Sequence, residues 1–136
     1  MQTLSEELGL AEQTVFTGHI ADREILKGLY ARADLFVFPS LYDNAPMVVR
    51  EAAASGTPSL LIRGSCAADG VTDGVNGFLC ENTPEDIAKC MARALLTAKQ
   101  VGERARETIP IPWNGVAKQV LDRYAALIER KKRENR

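Results

Sequence analysis

Apolar residues along this chain fall into two kinds of run, and their alternation predicts an α/β fold. Leu35 to Phe38 (LFVF) and Ser59 to Ile62 (SLLI) are short apolar blocks without period-two alternation. That is the pattern of strands covered on both faces in a parallel sheet. Thr14 to Thr17 (TVFT) and Phe78 to Cys80 predict two further short strands. Elsewhere apolar residues recur at helical spacing. Asp22 suits the N-cap of a helix through Ala33, with Ile25, Leu26, Leu29 and Tyr30 on its inner face. Ile87, Met91, Ala94 and Leu95 form a second stripe. Thr3 to Leu10 read as the end of a helix and Gln100 to Glu107 as a short one. Trp113 to Arg130 read as a final amphipathic helix through Val116, Val120, Leu121, Tyr124, Leu127 and Ile128, with Trp113 and Tyr124 as its packing anchors. Alternating strands and helices predict a doubly wound, mostly parallel sheet with helices on both faces.

Turn and cap residues sharpen the stretch Asp34 to Pro58. Pro39 and Ser40 end the apolar strand. Asp43 and Asn44 offer cap side chains, and Pro46 fits the first turn of a helix, where its missing N–H costs nothing. Met47 to Ser55 read as that helix, kept slim by Ala52, Ala53 and Ala54. Gly56 suits its C-cap, and Pro58 forbids continuation. The loop of this strand–loop–helix–strand unit lies at the carboxyl end of a buried strand, where open α/β sheets bind ligands. Further on, Asp73-Gly74 and Asn76-Gly77 mark tight turns. Thr83-Pro84-Glu85-Asp86 reads as a helix start with a reciprocal capping box.

A chain of 136 residues is expected to form one domain. A net charge of -1 and a pI near 5.9 argue against a nucleic-acid-binding surface. The basic run Arg130 to Arg133 reads as a solvated helix end, with contact to a membrane surface as the alternative. No apolar stretch approaches the ~20 residues of a spanning helix, and the mixed Met1 to Ala11 does not read as a secretory signal. Cys66, Cys80 and Cys90 are too far apart for a CxxC motif and read as free thiols in a reducing, cytoplasmic setting. His19 is the only histidine, so a His/Cys zinc site is not expected, and neither Ser40 nor Ser55 sits in the G-x-S-x-G elbow that would mark a Ser–His–Asp triad.

Three words carry a family resemblance: VFTGHI at Val15 to Ile20, LYARADLFVFPSLYDNAPMVVREAAASGTP at Leu29 to Pro58, and DGVNGFLCENTPEDIA at Asp73 to Ala88. In this order they resemble the C-terminal, donor-binding domain of the group 1 retaining glycosyltransferases of GT-B architecture. The resemblance implies a Rossmann-like donor half that binds a nucleotide-diphosphate sugar, needs no cofactor or bound metal, and works on a carbohydrate or lipid-linked acceptor. It also implies that residues 1–136 are part of that half. The N-terminal acceptor domain, and the glycine-rich turn with the Arg and Lys that neutralise the donor diphosphate, would lie outside the chain. A sheet cut in this way is expected to self-associate. An enzyme of this kind would be cytoplasmic, with peripheral membrane contact as a variant.

Two acidic residues of that family stand eight positions apart, and Asp43 and Glu51 fill those places. By resemblance Asp43 lies near the donor sugar and Glu51 accepts hydrogen bonds from the ribose hydroxyls. Ser40, Asn44, Ala45, Pro46, Met47 and Val48 would complete the donor loop, and Gly18 and His19 would border the nucleotide pocket. The family usually has Glu where Asp43 stands and a Gly-aromatic-Gly loop where this chain has Asn44-Ala45-Pro46. Plainer readings of the same residues are a helix cap for Asp43, a solvent-facing helix position for Glu51, a strand terminator for Ser40 and a turn for His19. Two other functions fit the pattern: a non-hydrolysing nucleotide-sugar epimerase and a non-catalytic α/β interaction domain.

Overall fold

Three short strands form one parallel sheet in the order β1-β2-β3: Phe36–Phe38, Ser59–Ile62 and Phe78–Cys80. The computed structural model describes residues 1–44 and 46–134. Phe36 pairs with Ser59 and Leu60 with Phe78, so the strands run in step. Around them lie α1 (Gln2–Glu7), α2 (Arg23–Arg32), α3 (Met47–Ala54), α4 (Pro84–Thr108) and α5 (Trp113–Glu134).

Successive strand residues point to opposite faces, and both faces are covered. Leu60, Ile62, Phe78 and Cys80 pack with Cys90, Ala94 and Val101 of α4. Leu61 on the other face packs with Val49 of α3 and Ala67, and Phe36, Phe38 and Leu79 join them. Leu60 and Leu61 are wholly buried. Their unbroken apolar run is therefore the signature of a strand with a helix on either side. The doubly wound expectation holds.

The edges of the sheet differ from this centre. Among the described residues β1 pairs only with β2, and all three of its residues are half-buried rather than buried. Thr14 to Thr17 form no strand. Val15 is 84% exposed, and no partner strand lies beside the segment among the described residues. A strand is defined by its ladder, and apolar composition alone does not supply one.

Several helices differ from their sequence reading. α2 is capped as expected: Asp22 accepts the N–H groups of Glu24 at 2.8 Å and Ile25 at 3.3 Å. Of its inner face, however, only Tyr30 is buried, and Ile25 and Leu29 are exposed. Gln100 to Glu107 are not a separate helix but the second half of α4. At the start of α4 Thr83 caps the Asp86 N–H at 3.2 Å, while the Asp86 carboxylate accepts from Glu81 N–H at 2.7 Å rather than from Thr83. α5 forms as expected but buries no residue, and Trp113 and Tyr124 are exposed rather than anchored. Nothing in the sequence pattern distinguishes a stripe that is covered from one that is not.

Candidate functional site

The loop between β1 and α3 turns sharply. Ser40 donates its N–H back to the carbonyl of Phe38 at 2.9 Å and is half-buried. Leu41 to Asn44 are exposed, and Ala45 lies outside the described residues. Pro46, with φ -62° and ψ 129°, is the N-cap of α3 and is buried. Among the described residues no side chain caps this helix, so Asp43 and Asn44 do not perform the capping expected of them. A loop that reaches out to solvent carries their carboxylate and amide away from the first turn. Among the described residues the first N–H groups of α3 therefore have no side-chain acceptor, and they carry the positive end of the helix dipole.

Glu51 follows Met47 by one helical turn and shares its face with Val48. Met47 is exposed and Val48 half-buried. The Glu51 side chain is only 26% exposed and accepts from Arg23 Nη2 at 3.0 Å. This ion pair joins the first turn of α2 to α3 across 28 positions of sequence. A groove of about 220 Å³ opens beside it, lined by Arg23, Leu26, Lys27, Tyr30, Glu51, Ala54 and Ser55. Tyr30 forms part of its floor, and its backbone is tied down by the Thr57 hydroxyl, which donates to the Tyr30 carbonyl. Burial, and secondarily the negative charge of Glu51, push the Tyr30 phenol above its ordinary pKa.

A second hollow of about 200 Å³ lies on the other side of α3, where Pro46, Arg50, Cys66 and Asp69 meet Thr108 at the end of α4. Gly18 adopts φ +64°, which glycine reaches without strain, and places His19 at an exposed turn before α2. Among the described residues no hydrogen bond links Gly18 or His19 to α3.

The structure thus brings together Glu51, Val48 and Met47 on one helix, with Pro46 at its head. It leaves Asp43 and Asn44 on the exposed loop and His19 on a separate turn. Sequence reasoning did not place Arg23 or Lys27 beside Glu51, and it read Tyr30 only as an inner-face residue of α2. Arg23 directly follows a clear N-cap, but its partner is a helix away, and no local pattern encodes that pairing. Among the described residues no three His, Cys, Asp or Glu side chains converge as a metal cluster. No helix there is long and apolar enough to cross a membrane.

The family model for glycosyl transferases group 1 matches residues 1–108. The chain belongs to the group 1 glycosyl transferases. Within that family it is 33% identical to the sulfoquinovosyl transferase SQD2 of Arabidopsis thaliana, over 90% of this chain and 26% of the relative. It is 29% identical to the mannosylfructose-phosphate synthase of Agrobacterium fabrum, over 91% of this chain and 28% of the relative. The solved sucrose-phosphate synthase of Thermosynechococcus elongatus superposes with a TM-score of 0.79 at 27% identity, covering 94% of this chain and 33% of that one. The parallel sheet with a helix layer on each face is therefore part of a GT-B glycosyltransferase fold. The chain spans about a quarter to a third of the length of these similar proteins.

Proposed function

We propose that this chain is part of the donor-binding half of a retaining glycosyltransferase. The enzyme would move a sugar from a nucleotide diphosphate to a carbohydrate or lipid-linked acceptor. The observation that carries the proposal is the pairing of a half-buried carboxylate, Glu51, with the uncapped head of α3 at the carboxyl end of β1. Free N–H groups at a helix start attract a diphosphate. A carboxylate accepts hydrogen bonds only, and so suits the two hydroxyls of a ribose. Arg23 engages Oε1 of Glu51, which leaves Oε2 for the ligand. The name of the sulfoquinovosyl transferase supports sugar transfer as the reaction class.

In this reading Glu51 holds the ribose and Asp43 reaches the sugar from its exposed loop. Ser40, Asn44, Ala45, Met47 and Val48 shape the donor loop behind Pro46, and Gly18 and His19 border the base. The chemistry needs no bound metal and no cofactor. It depends on stabilising the charge of the departing diphosphate, the kind of electrostatic term that dominates many such sites. The start of α3 supplies part of it. The acceptor, and the cationic groups that complete the diphosphate site, belong to parts of the protein outside these residues. The three unpaired cysteines suit a cytoplasmic setting.

Calorimetric titration with UDP, GDP and ADP tests the assignment. Removing a charge-assisted hydrogen bond costs roughly 1.5–3 kcal/mol. Glu51→Ala should therefore bind its preferred nucleotide about ten- to a hundredfold more weakly. In the intact enzyme Asp43→Ala should leave that affinity unchanged and lower turnover of the sugar conjugate, because its contact is to the sugar. Unchanged nucleotide affinity in Glu51→Ala overturns the donor-site assignment.

A further inference from the structure

Arg23 stands at the first position of α2, immediately after the N-cap Asp22. That is the unfavourable end of a helix for a cation, because the positive end of the dipole lies there. Asp22 already holds the turn through the N–H groups of Glu24 and Ile25, so α2 does not need Arg23 in order to start. The side chain instead leaves its own helix. Its Nη2 reaches Glu51 Oε1 at 3.0 Å, and among the described residues this is its one ion pair. The Arg23 side chain is 74% exposed, and an ion pair so open to solvent adds little to stability. Lys27, one turn further along the same groove wall, is paired with Glu24 of its own helix at 2.6 Å. Arg23 is thus the cation that α2 sends to α3.

We propose that Arg23 is a positioning residue for donor binding: it fixes the Glu51 carboxylate so that the free oxygen of that group meets the ribose hydroxyls. The inference rests on the reading of Glu51 as the ribose acceptor. A carboxylate offers about four lone-pair sites. Arg23 takes one of them, on Oε1, and leaves Oε2 open. An unpaired glutamate side chain samples many rotamers, and a ligand that orders it must overcome that lost freedom on binding. Held by Arg23, the carboxylate is ordered beforehand. Charge acts in the same direction. Glu51 lies one turn behind the head of α3, where the proposed ligand carries its diphosphate, and an unpaired carboxylate there would repel it. Arg23 offsets that charge through the oxygen that the ribose does not need. Its planar guanidinium presents donors in a fixed fork, which orients a carboxylate better than the mobile ammonium of lysine does.

The preference for ribose over deoxyribose separates this role from a merely structural one. In the intact enzyme, calorimetric titration compares UDP, GDP and ADP with their 2′-deoxy forms. The parent should favour its ribonucleotide by about tenfold, the effect of one hydrogen bond to a charged group. Glu51→Ala should bind both forms alike. Arg23→Ala keeps Glu51 and should still lose most of the preference, down to about twofold, while melting as the parent does. Arg23→Lys keeps the charge without the fork and should recover part of the preference, to roughly fourfold. Arg32→Ala removes the same charge from the last turn of α2 and should leave the preference whole. A parental preference in Arg23→Ala, with the preference lost in Glu51→Ala, overturns the inference and leaves the ribose reading standing. Equal loss in Arg32→Ala also overturns it, because charge alone would then be the cause. A parental preference in Glu51→Ala overturns the ribose reading itself, and the inference with it.

Discussion

Tyr30 makes the charge of Glu51 readable in solution. Burial is the larger cause of its raised pKa and Glu51 the smaller. Absorbance titration should therefore show a tyrosine ionising above the ordinary value of 10. Glu51→Gln should move that component down but not back to the ordinary value. Because the folded pKa is raised, the stabilisation is full below the unfolded pKa and is lost as pH rises through the folded one. Asp73 behaves in the opposite sense. Burial alone would raise its pKa, but hydrogen bonds from Arg93 and from Leu79 N–H, with the charges of Arg93 and Arg63, hold it below the usual carboxylate range. Its contribution is present above the unfolded pKa and is lost as pH falls through the folded one, so the melting temperature of the parent should drop below about pH 4. Asp73→Ala should lower stability by about 1–2 kcal/mol at neutral pH, since it frees the Leu79 N–H and breaks a partly exposed ion pair. It should also flatten the acid limb of the pH–melting curve. An acid limb unchanged in Asp73→Ala would show that other carboxylates set it.

Among the elements, α4 is decided by one close approach. Gly102 sits in its second half, where an added Cβ would come within 2.0 Å of the Gly56 carbonyl oxygen and 3.0 Å of Pro58 Cδ. Glycine normally weakens a helix interior by about 1 kcal/mol relative to alanine, and here the absent side chain lets the helix run past the turn between α3 and β2. Gly102→Ala should thus destabilise by about 1–3 kcal/mol, because overpacking against backbone outweighs the gain in helix propensity. Gly28, in α2, has open space around it and an ordinary backbone conformation. Gly28→Ala should stabilise by up to ~1 kcal/mol. Denaturant midpoints of the two variants, taken side by side, should move in opposite directions, and a shared direction would refute the packing argument.

For the whole molecule, the two edges of the sheet are not alike. At the β3 edge Asp73 Oδ1 accepts the Leu79 N–H at 3.0 Å, and Asp73 forms an isolated bridge with Gly77, so that edge is occupied. At the β1 edge Phe36 donates inward to Pro58 at 2.9 Å. Alternation in a parallel ladder then points the N–H and carbonyl of Val37 outward. Half-buried aromatic rings of Phe36 and Phe38, stacked at 5.8 Å, lie on this edge strand. An edge of this kind recruits another strand. Sedimentation velocity should therefore show a size that rises with protein concentration, while Trp113 emission stays constant because α5 is not the contact. A monomer at every concentration would remove this argument.

Local chemistry made much of this protein legible in advance. β2 and β3 coincide with their apolar runs, Asp22 and Thr83 cap the helices they were expected to cap, and Gly56 takes the left-handed turn, with φ +84°, that ends α3. These features depend on neighbours within a few residues, which the sequence states directly. The words that resemble the group 1 family were legible for the same reason, since each is a contiguous string. Tertiary structure decided what depends on partners far along the chain. Glu51 meets Arg23 across a groove, Gly102 passes Gly56, Thr14 to Thr17 have no ladder, and the stripe of α5 stays in solvent. An apolar stripe or run says that a surface prefers to be covered. Whether anything covers it is a property of the whole arrangement, because burial is a relation between segments and not an attribute of one.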